Sequence, residues 1–190
     1  MRRTLTVSVV SFLSLFLICK ASAQVDMIRL KVNDEISLKM PESFIPMTEA
    51  EMINKYMSYR TPLAMFTSED RTVDFGINKN SSPWAGNDLT ILKDFYKANV
   101  LNLFTEVKFI QDDIINISGR DFAVLEFVSR IDDEESTFGS LNKAVSKYSY
   151  IMYTLHQGNV LLFNFTCGAT GRAKWQQPAN EIMQSIRIKE

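Results

Sequence analysis

The chain has 190 residues, of which 46% are hydrophobic, and a formal net charge of −1 at pH 7. That length and apolar content suit one globular domain with a core of its own. The charge, which turns more acidic once Arg2, Arg3 and Lys20 are set aside with the N-terminal segment, excludes the basic surface of a nucleic-acid binder and has the wrong sign for docking on anionic lipid.

Arg2 and Arg3 precede an apolar run from Leu5 to Ile18 broken only by Thr6, Ser8, Ser11 and Ser14. This is the length of a secretory signal and shorter than the about 20 residues of a membrane span. Ala21-Ser22-Ala23 supplies the small side chains that signal peptidase probes, so residues 1–23 are expected to be cleaved and 24–190 to form one domain without stable membrane insertion. That places the domain in the periplasm or outside the cell. Cys19 offers the alternative of a lipoprotein, but Ile18 stands where lipid processing wants a small residue. After cleavage Cys167 is the one remaining cysteine, which excludes an internal disulfide and reads as a small buried hydrophobe.

Ile28, Leu30 and Val32, then Ile36, Leu38 and Met40, alternate with polar residues about Asn33-Asp34 and predict an opening hairpin that Pro41 ends. Thr48 and Glu51 form a capping box, with Met47 and Met52 placed to staple it, before a short helix to about Met57 that should bury Met52, Ile53, Tyr56 and Met57. Leu63 to Thr67 and Thr72 to Asn78 read as strands about a polar turn, and Asn78 to Asn87 as a loop. Asp88 caps a helix to about Phe104, with Leu92, Tyr96, Val100 and Leu103 on one face and Lys93 and Lys97 opposite.

Val107 to Gln111 and Ile114 to Ile117 are strand-like about Asp112-Asp113, which form a bulge or a turn; Ser118-Gly119-Arg120 then turns into a strand from Phe122 to Ile131. Asp132 to Leu141 reads as an acidic loop. Tyr148 to His156 and Val160 to Cys167 are expected to pair across Gly158-Asn159. A last helix, starting between Gly171 and Pro178, carries Trp175, Ala179, Ile182 and Ile186, with Pro178 in its first turn or at a kink.

With Gly158-Asn159 as the loop, Tyr150, Met152, Phe163, Phe165 and Cys167 share one face of the hairpin, and Ile151, Tyr153, Leu155 and Leu162 the other. Both faces are apolar, so the expected architecture is α+β, a mainly antiparallel sheet with helices packed on both faces.

This order of elements resembles the Mog1/PsbP-like fold family and the bacterial exported proteins of unknown function grouped with it. The residues that carry the resemblance are Ile36 to Met40 with Pro41-Glu-Ser-Phe44, Ile117-Ser-Gly-Arg-Asp-Phe122, the hairpin from Tyr150 to Phe165, and the closing helix from Trp175 to Arg187. Many relatives have Trp where this chain has Phe44. The resemblance implies a three-layer fold and a non-enzymatic accessory domain that binds other proteins. It transfers no site residue.

The sequence holds no catalytic constellation of a familiar kind. His156 and Cys167 form no dyad, because Leu161, the residue expected opposite His156, stands about 20 Å along the strand from Cys167. One His and one Cys cannot make a structural zinc site. The acids at 132–135 lack the spacing of a calcium loop and read as a solvated run, and phosphate-loop, serine-elbow and zinc-protease motifs are absent. Neither metal nor cofactor is therefore expected. Trp84 in the longest polar loop, and Tyr59 and Arg60 before Pro62, remain as candidate contacts. The expected function is partner binding in the cell envelope. The alternative is binding or sensing of a small apolar or aromatic ligand. Asn80, Asn116 and Asn164 match the glycosylation tripeptide without further support.

Overall fold

The computed structural model describes residues 25–56, 61–81, 88–132 and 144–189. Its first strands, β1 (Met27–Lys31) and β2 (Ile36–Pro41), turn about Asn33, whose side-chain oxygen accepts from the backbone N–H groups of Glu35 and Ile36 at 2.9 and 2.7 Å. The closing strand β10 (Arg187–Ile188) pairs with the free side of β2, so the first and last described strands share a three-stranded antiparallel sheet in the order β1-β2-β10. A strand of two residues carries no periodicity to read.

The larger sheet is also antiparallel, in the order β3-β4-β5-β9-β8-β7-β6. Its members are β3 (Phe44–Pro46), β4 (Ala64–Ser68), β5 (Val73–Ser81), β6 (Glu106–Ile117), β7 (Arg120–Ile131), β8 (Val145–His156) and β9 (Asn159–Gly168). The short edge strand β3 was not expected from the sequence, and Asn78 to Ser81, read as loop, continue β5 against β9. Strand β6 runs unbroken through Asp112-Asp113; the register slips between Phe109 and Gln111 instead, so the bulge falls at Ile110.

Two tight turns set the register of the sheet's centre. At Ser118-Gly119 both φ values are positive, 55° and 85°, the conformation a two-residue hairpin loop requires. The second loop is Gln157-Gly158, with φ 48° and 72°, and His156 pairs with Asn159. This corrects the expected Gly158-Asn159 loop: glycine takes the second position because Gln157 accepts a left-handed backbone. The slip is two residues in the pairing sum, an even number, so each side chain keeps the face it was assigned.

The residues of one parity (Phe75, Phe122, Val124, Tyr150, Met152, Phe163, Phe165 and Cys167 among them) form one core cluster with β2 and with Trp175, Ala179, Ile182 and Met183 of α3 (Arg172–Gln184). Residues of the other parity, including Ala123, Leu125, Phe127 and Tyr153, form a second cluster with Leu92 and Val100 of α2 (Leu89–Leu103). Pro178 lies inside α3 and is buried, past the first turn, and Ile186 is buried just beyond the helix.

Helix α1 (Glu49–Tyr56) starts at the expected capping box: Glu51 Oε2 accepts from the Thr48 N–H at 2.8 Å and Thr48 Oγ1 from the Glu51 N–H at 3.3 Å. Its apolar stripe is not buried, however, because Ile53 and Tyr56 are exposed and no residue of α1 is buried. Met57 lies outside the described residues.

Ser185 ties α3 to the smaller sheet. Its buried Oγ donates to the Ile182 carbonyl at 2.7 Å and accepts from the backbone N–H of Lys39 at 2.6 Å. Replacing it (Ser185→Ala) leaves that N–H without its partner, and chemical denaturation should show a loss of about 1–2 kcal/mol. An unchanged unfolding midpoint would mean that the bond carries no net stability.

Candidate functional site

Two ion-pair clusters fix where the helices cross the Tyr153 face of the sheet. Asp112, on edge strand β6, accepts from Lys93 Nζ at 2.6 Å and from Lys97 Nζ, both on α2. Lys93 is mostly buried and Lys97 half-buried, with Lys97 also over the Phe109 ring. The two lysines were expected on the solvent side of α2 and instead hold the helix to β6. Their alkyl stems reach across the sheet edge while their charges meet a carboxylate that faces the helix. Leu103, expected on the buried stripe, is 69% exposed at the end of α2, although Val100 in the same turn is buried against the sheet.

Asp74, buried on β5, accepts from Lys55 Nζ at 2.9 Å and from the Tyr56 hydroxyl. Burial first, then the hydrogen bond to Asp74, pushes the Tyr56 phenol far above its ordinary value. Polar anchoring therefore holds α1, a helix with no buried residue, over the same face as α2. The register confirms the face: Asp74 pairs with Thr166, Thr166 with Ser149, and Ser149 with Phe127 of the α2 cluster.

Between these anchored helices lies a groove of about 310 Å³. Its walls are Tyr56 of α1 and Tyr96, Val100 and Leu103 of α2; Phe127, Ile151 and Tyr153 form its apolar floor. Tyr96 and Tyr153 stack at 4.1 Å between ring centroids with planes 12° apart, and burial raises both phenols above their ordinary range. The rest of the floor is polar: Ser129, Ser149, Asn164 and Thr166. Ser149 and Thr166 lie 3.5 Å apart, hydroxyl to hydroxyl, whereas Ser129 Oγ and Asn164 Oδ1 are buried with no hydrogen-bond partner. Lys147 stands at the rim.

A second, open cleft of about 520 Å³ lies beside the Ser118-Gly119 turn and contains Arg120, Asp121 and Arg187. Both arginines there are engaged with backbone: Arg120 donates to the Leu155 carbonyl at 3.1 Å and Arg187 to the Ile186 carbonyl at 2.8 Å. It is larger than the groove but has few groups left to recognise anything.

The sequence candidates fare differently. Trp84, Tyr59 and Arg60 lie outside the described residues, as do residues 133–143 of the acidic loop. His156, the last residue of β8, is buried opposite Asn159 at the start of β9, its Nε2 3.7 Å from Glu35 Oε2 and without a hydrogen bond, and Cys167 is buried near the other end of β9. Burial raises the Cys167 thiol to about 11, away from the reactive thiolate. No group of three or more acidic, His or Cys side chains able to hold a metal occurs among the described residues. The groove's polar floor went unnoticed in the sequence. Its trace was there, since Ser129, Asn164 and Thr166 interrupt strands at positions whose parity faces the core.

Neither a protein-family model nor a curated protein sequence matches the chain. Solved structures do. Cyanobacterial PsbP (CyanoP) from Synechocystis superposes with a TM-score of 0.58 at 10% identity, covering 90% of this chain and 97% of that one. The Ran-binding protein Mog1p of Saccharomyces cerevisiae gives 0.54 at 10% identity, with 87% and 96% covered. LpqN of Mycobacterium tuberculosis, described as involved in cell envelope biogenesis, gives 0.53 at 13% identity, with 87% and 91% covered. At these identities the likeness is one of fold, and the chain carries the Mog1/PsbP-like α+β fold that its sequence resembles.

The acid sensitivity of the α2 clamp follows from Asp112. Partial burial works against its charge, but hydrogen bonds and charge from Lys93 and Lys97 outweigh it and hold the carboxyl below its ordinary value. With the folded value depressed, the stabilisation is present above the unfolded pKa of about 4 and is lost as pH falls through the folded value. Urea unfolding at neutral pH should show Asp112→Asn less stable by about 1 kcal/mol, in keeping with screened pairs. The difference should shrink toward pH 2; a gap independent of pH would refute the assignment.

Asp74 yields a separate test. Lys55→Ala leaves its buried carboxylate without a cation, which costs about 3 kcal/mol in the usual case. Hydrogen exchange should then speed up in α1 ahead of the rest of the fold.

Proposed function

We propose that the chain is an exported, non-catalytic accessory domain that binds a protein partner in the cell envelope. In this reading residues 1–23 are removed after Ala23, and residues 24–190 fold as one three-layer domain with helices on both faces of the larger sheet. The two separate core clusters, one with α3 and one with α2, support the layering.

The observation that carries the reading is the surface of α2. The helix buries Leu92 and Val100, yet Ile91 is 50%, Phe95 46% and Leu101 49% exposed. A surface helix ordinarily confines its apolar residues to one stripe, and apolar residues around most of its circumference mark a helix that something else covers. No helix among the described residues is long and apolar enough to cross a membrane; the cover proposed for α2 is a protein surface. The N-terminal segment read as an export signal, and two neighbours in fold that are described as Ran-binding and as involved in cell envelope biogenesis, agree with it.

Two measurements test the proposal. Mass spectrometry of the protein recovered from the producing cells should find Gln24 as the first residue. Crosslinking in whole cells should capture a defined envelope protein, and a folded Ile91→Glu/Leu101→Glu variant should reduce that capture by about tenfold or more, the scale of a lost hot-spot residue. Undiminished capture by the double variant would remove α2 from the interface, and a retained N-terminal segment would remove export.

A further inference from the structure

We infer that the groove between α1 and α2 is a binding site for a small amphiphilic monocarboxylate with an aromatic body. The site is distinct from the outer surface of α2 and stands or falls independently of the protein partner. Its volume of about 310 Å³ lies at the lower end of the roughly 300–1,000 Å³ of ligand pockets, enough for one or two fused rings and too small for a long lipid.

Three features define the chemistry. The walls and inner floor are apolar and rich in rings, from Tyr56, Tyr96, Phe127 and Tyr153. Burial keeps the Tyr96 and Tyr153 phenols protonated, so those walls carry no negative charge to repel an acid. Flat apolar bodies pack well against such faces.

The polar end of the groove then names the head group. Ser129 is 2% exposed, lines the groove, and its Oγ has no hydrogen-bond partner. A buried hydroxyl left so costs about 1–3 kcal/mol, which a water or a ligand oxygen in the groove would recover. The residue paired with Ser129 across the β7–β8 ladder is Lys147. Residues so paired share a face with their side chains about 5 Å apart. Lys147 also lines the groove, and none of the ion pairs among the described residues engages it. A hydroxyl donor and an ammonium at adjacent positions fit the two oxygens of a carboxylate.

Asp74, an acid on this face, is already engaged by Lys55 and Tyr56. The second unpartnered atom, Asn164 Oδ1, is an acceptor opposite Ile151, suited to an N–H or hydroxyl on the ligand body. A cationic ligand would be repelled by Lys147, and a strictly hydrocarbon one would offer nothing to the Ser129 hydroxyl.

The test uses 2-naphthoate as probe and 2-naphthol as its uncharged counterpart, titrated by calorimetry into the purified protein. The expected result is saturable one-to-one binding of the acid, about tenfold tighter than the alcohol. Lys147→Gln, at an exposed position, should bring the acid down to the affinity of the alcohol and leave the alcohol unchanged. Ile151→Trp, which fills the floor, should abolish both while the fold persists by circular dichroism. Equal affinity for acid and alcohol in the unaltered protein, an equal loss of both in Lys147→Gln, or no saturable binding would overturn the assignment. So would a self-associating protein whose dimer is broken by Leu103→Asp and untouched by naphthoate, since that result gives the groove to a second copy.

Discussion

The β8–β9 hairpin is the constraint on which the rest of the molecule depends. It sits inside the seven-stranded sheet, with β7 on one side and β5 on the other, and successive residues enter two different cores. Tyr150, Met152, Phe163 and Phe165 are fully buried toward α3 and β2, and Tyr153 and Val160 are buried toward α2. Each such side chain is worth about 1.5–3 kcal/mol of burial. A sheet with water on either face would forfeit about half of that, so both faces need covering.

Apolar burial fixes which faces are covered, and polar contacts fix where the cover lies. Glu126, buried on the α3 side, accepts from the Tyr148 hydroxyl at 2.9 Å and Gln176 Nε2 at 2.7 Å, which sets α3 along the sheet. Lys93 and Lys97 set α2 against β6 through Asp112, and Lys55 and Tyr56 set α1 against β5 through Asp74. These last two anchors stand on opposite sides of the sheet's centre. The helices they hold do not meet, and the strip of floor between them becomes the groove. The site is thus a consequence of two separate pairings.

Hairpins, caps and the long amphipathic elements were legible because each rests on neighbours in sequence: Asn33 at its turn, Thr48 with Glu51, Asp88 accepting from the Thr90 N–H at 2.8 Å. The face assignment of β8 and β9 survived a wrong loop because side-chain direction depends on parity. Lys93 and Lys97 were misread because periodicity assigns lysine to solvent and cannot see a carboxylate nineteen or fifteen residues away in the chain. Helix α1 was given a buried stripe for the complementary reason: its spacing fits one, but the sheet reaches the helix through Asp74 and leaves Ile53 exposed.

The sequence by itself determined the order of the longer elements, the parity of the central hairpin and the α+β class, all of which follow from local backbone preference and spacing. The tertiary structure alone decided the separation of two sheets, the joining of the first and last described strands to β2, the clamps at Asp74 and Asp112, and the placing of Ser129 beside Lys147 beneath a gap between helices. Those features depend on residues far apart in the chain that meet only after the strands have paired, and no local pattern encodes which carboxylate a given lysine will find.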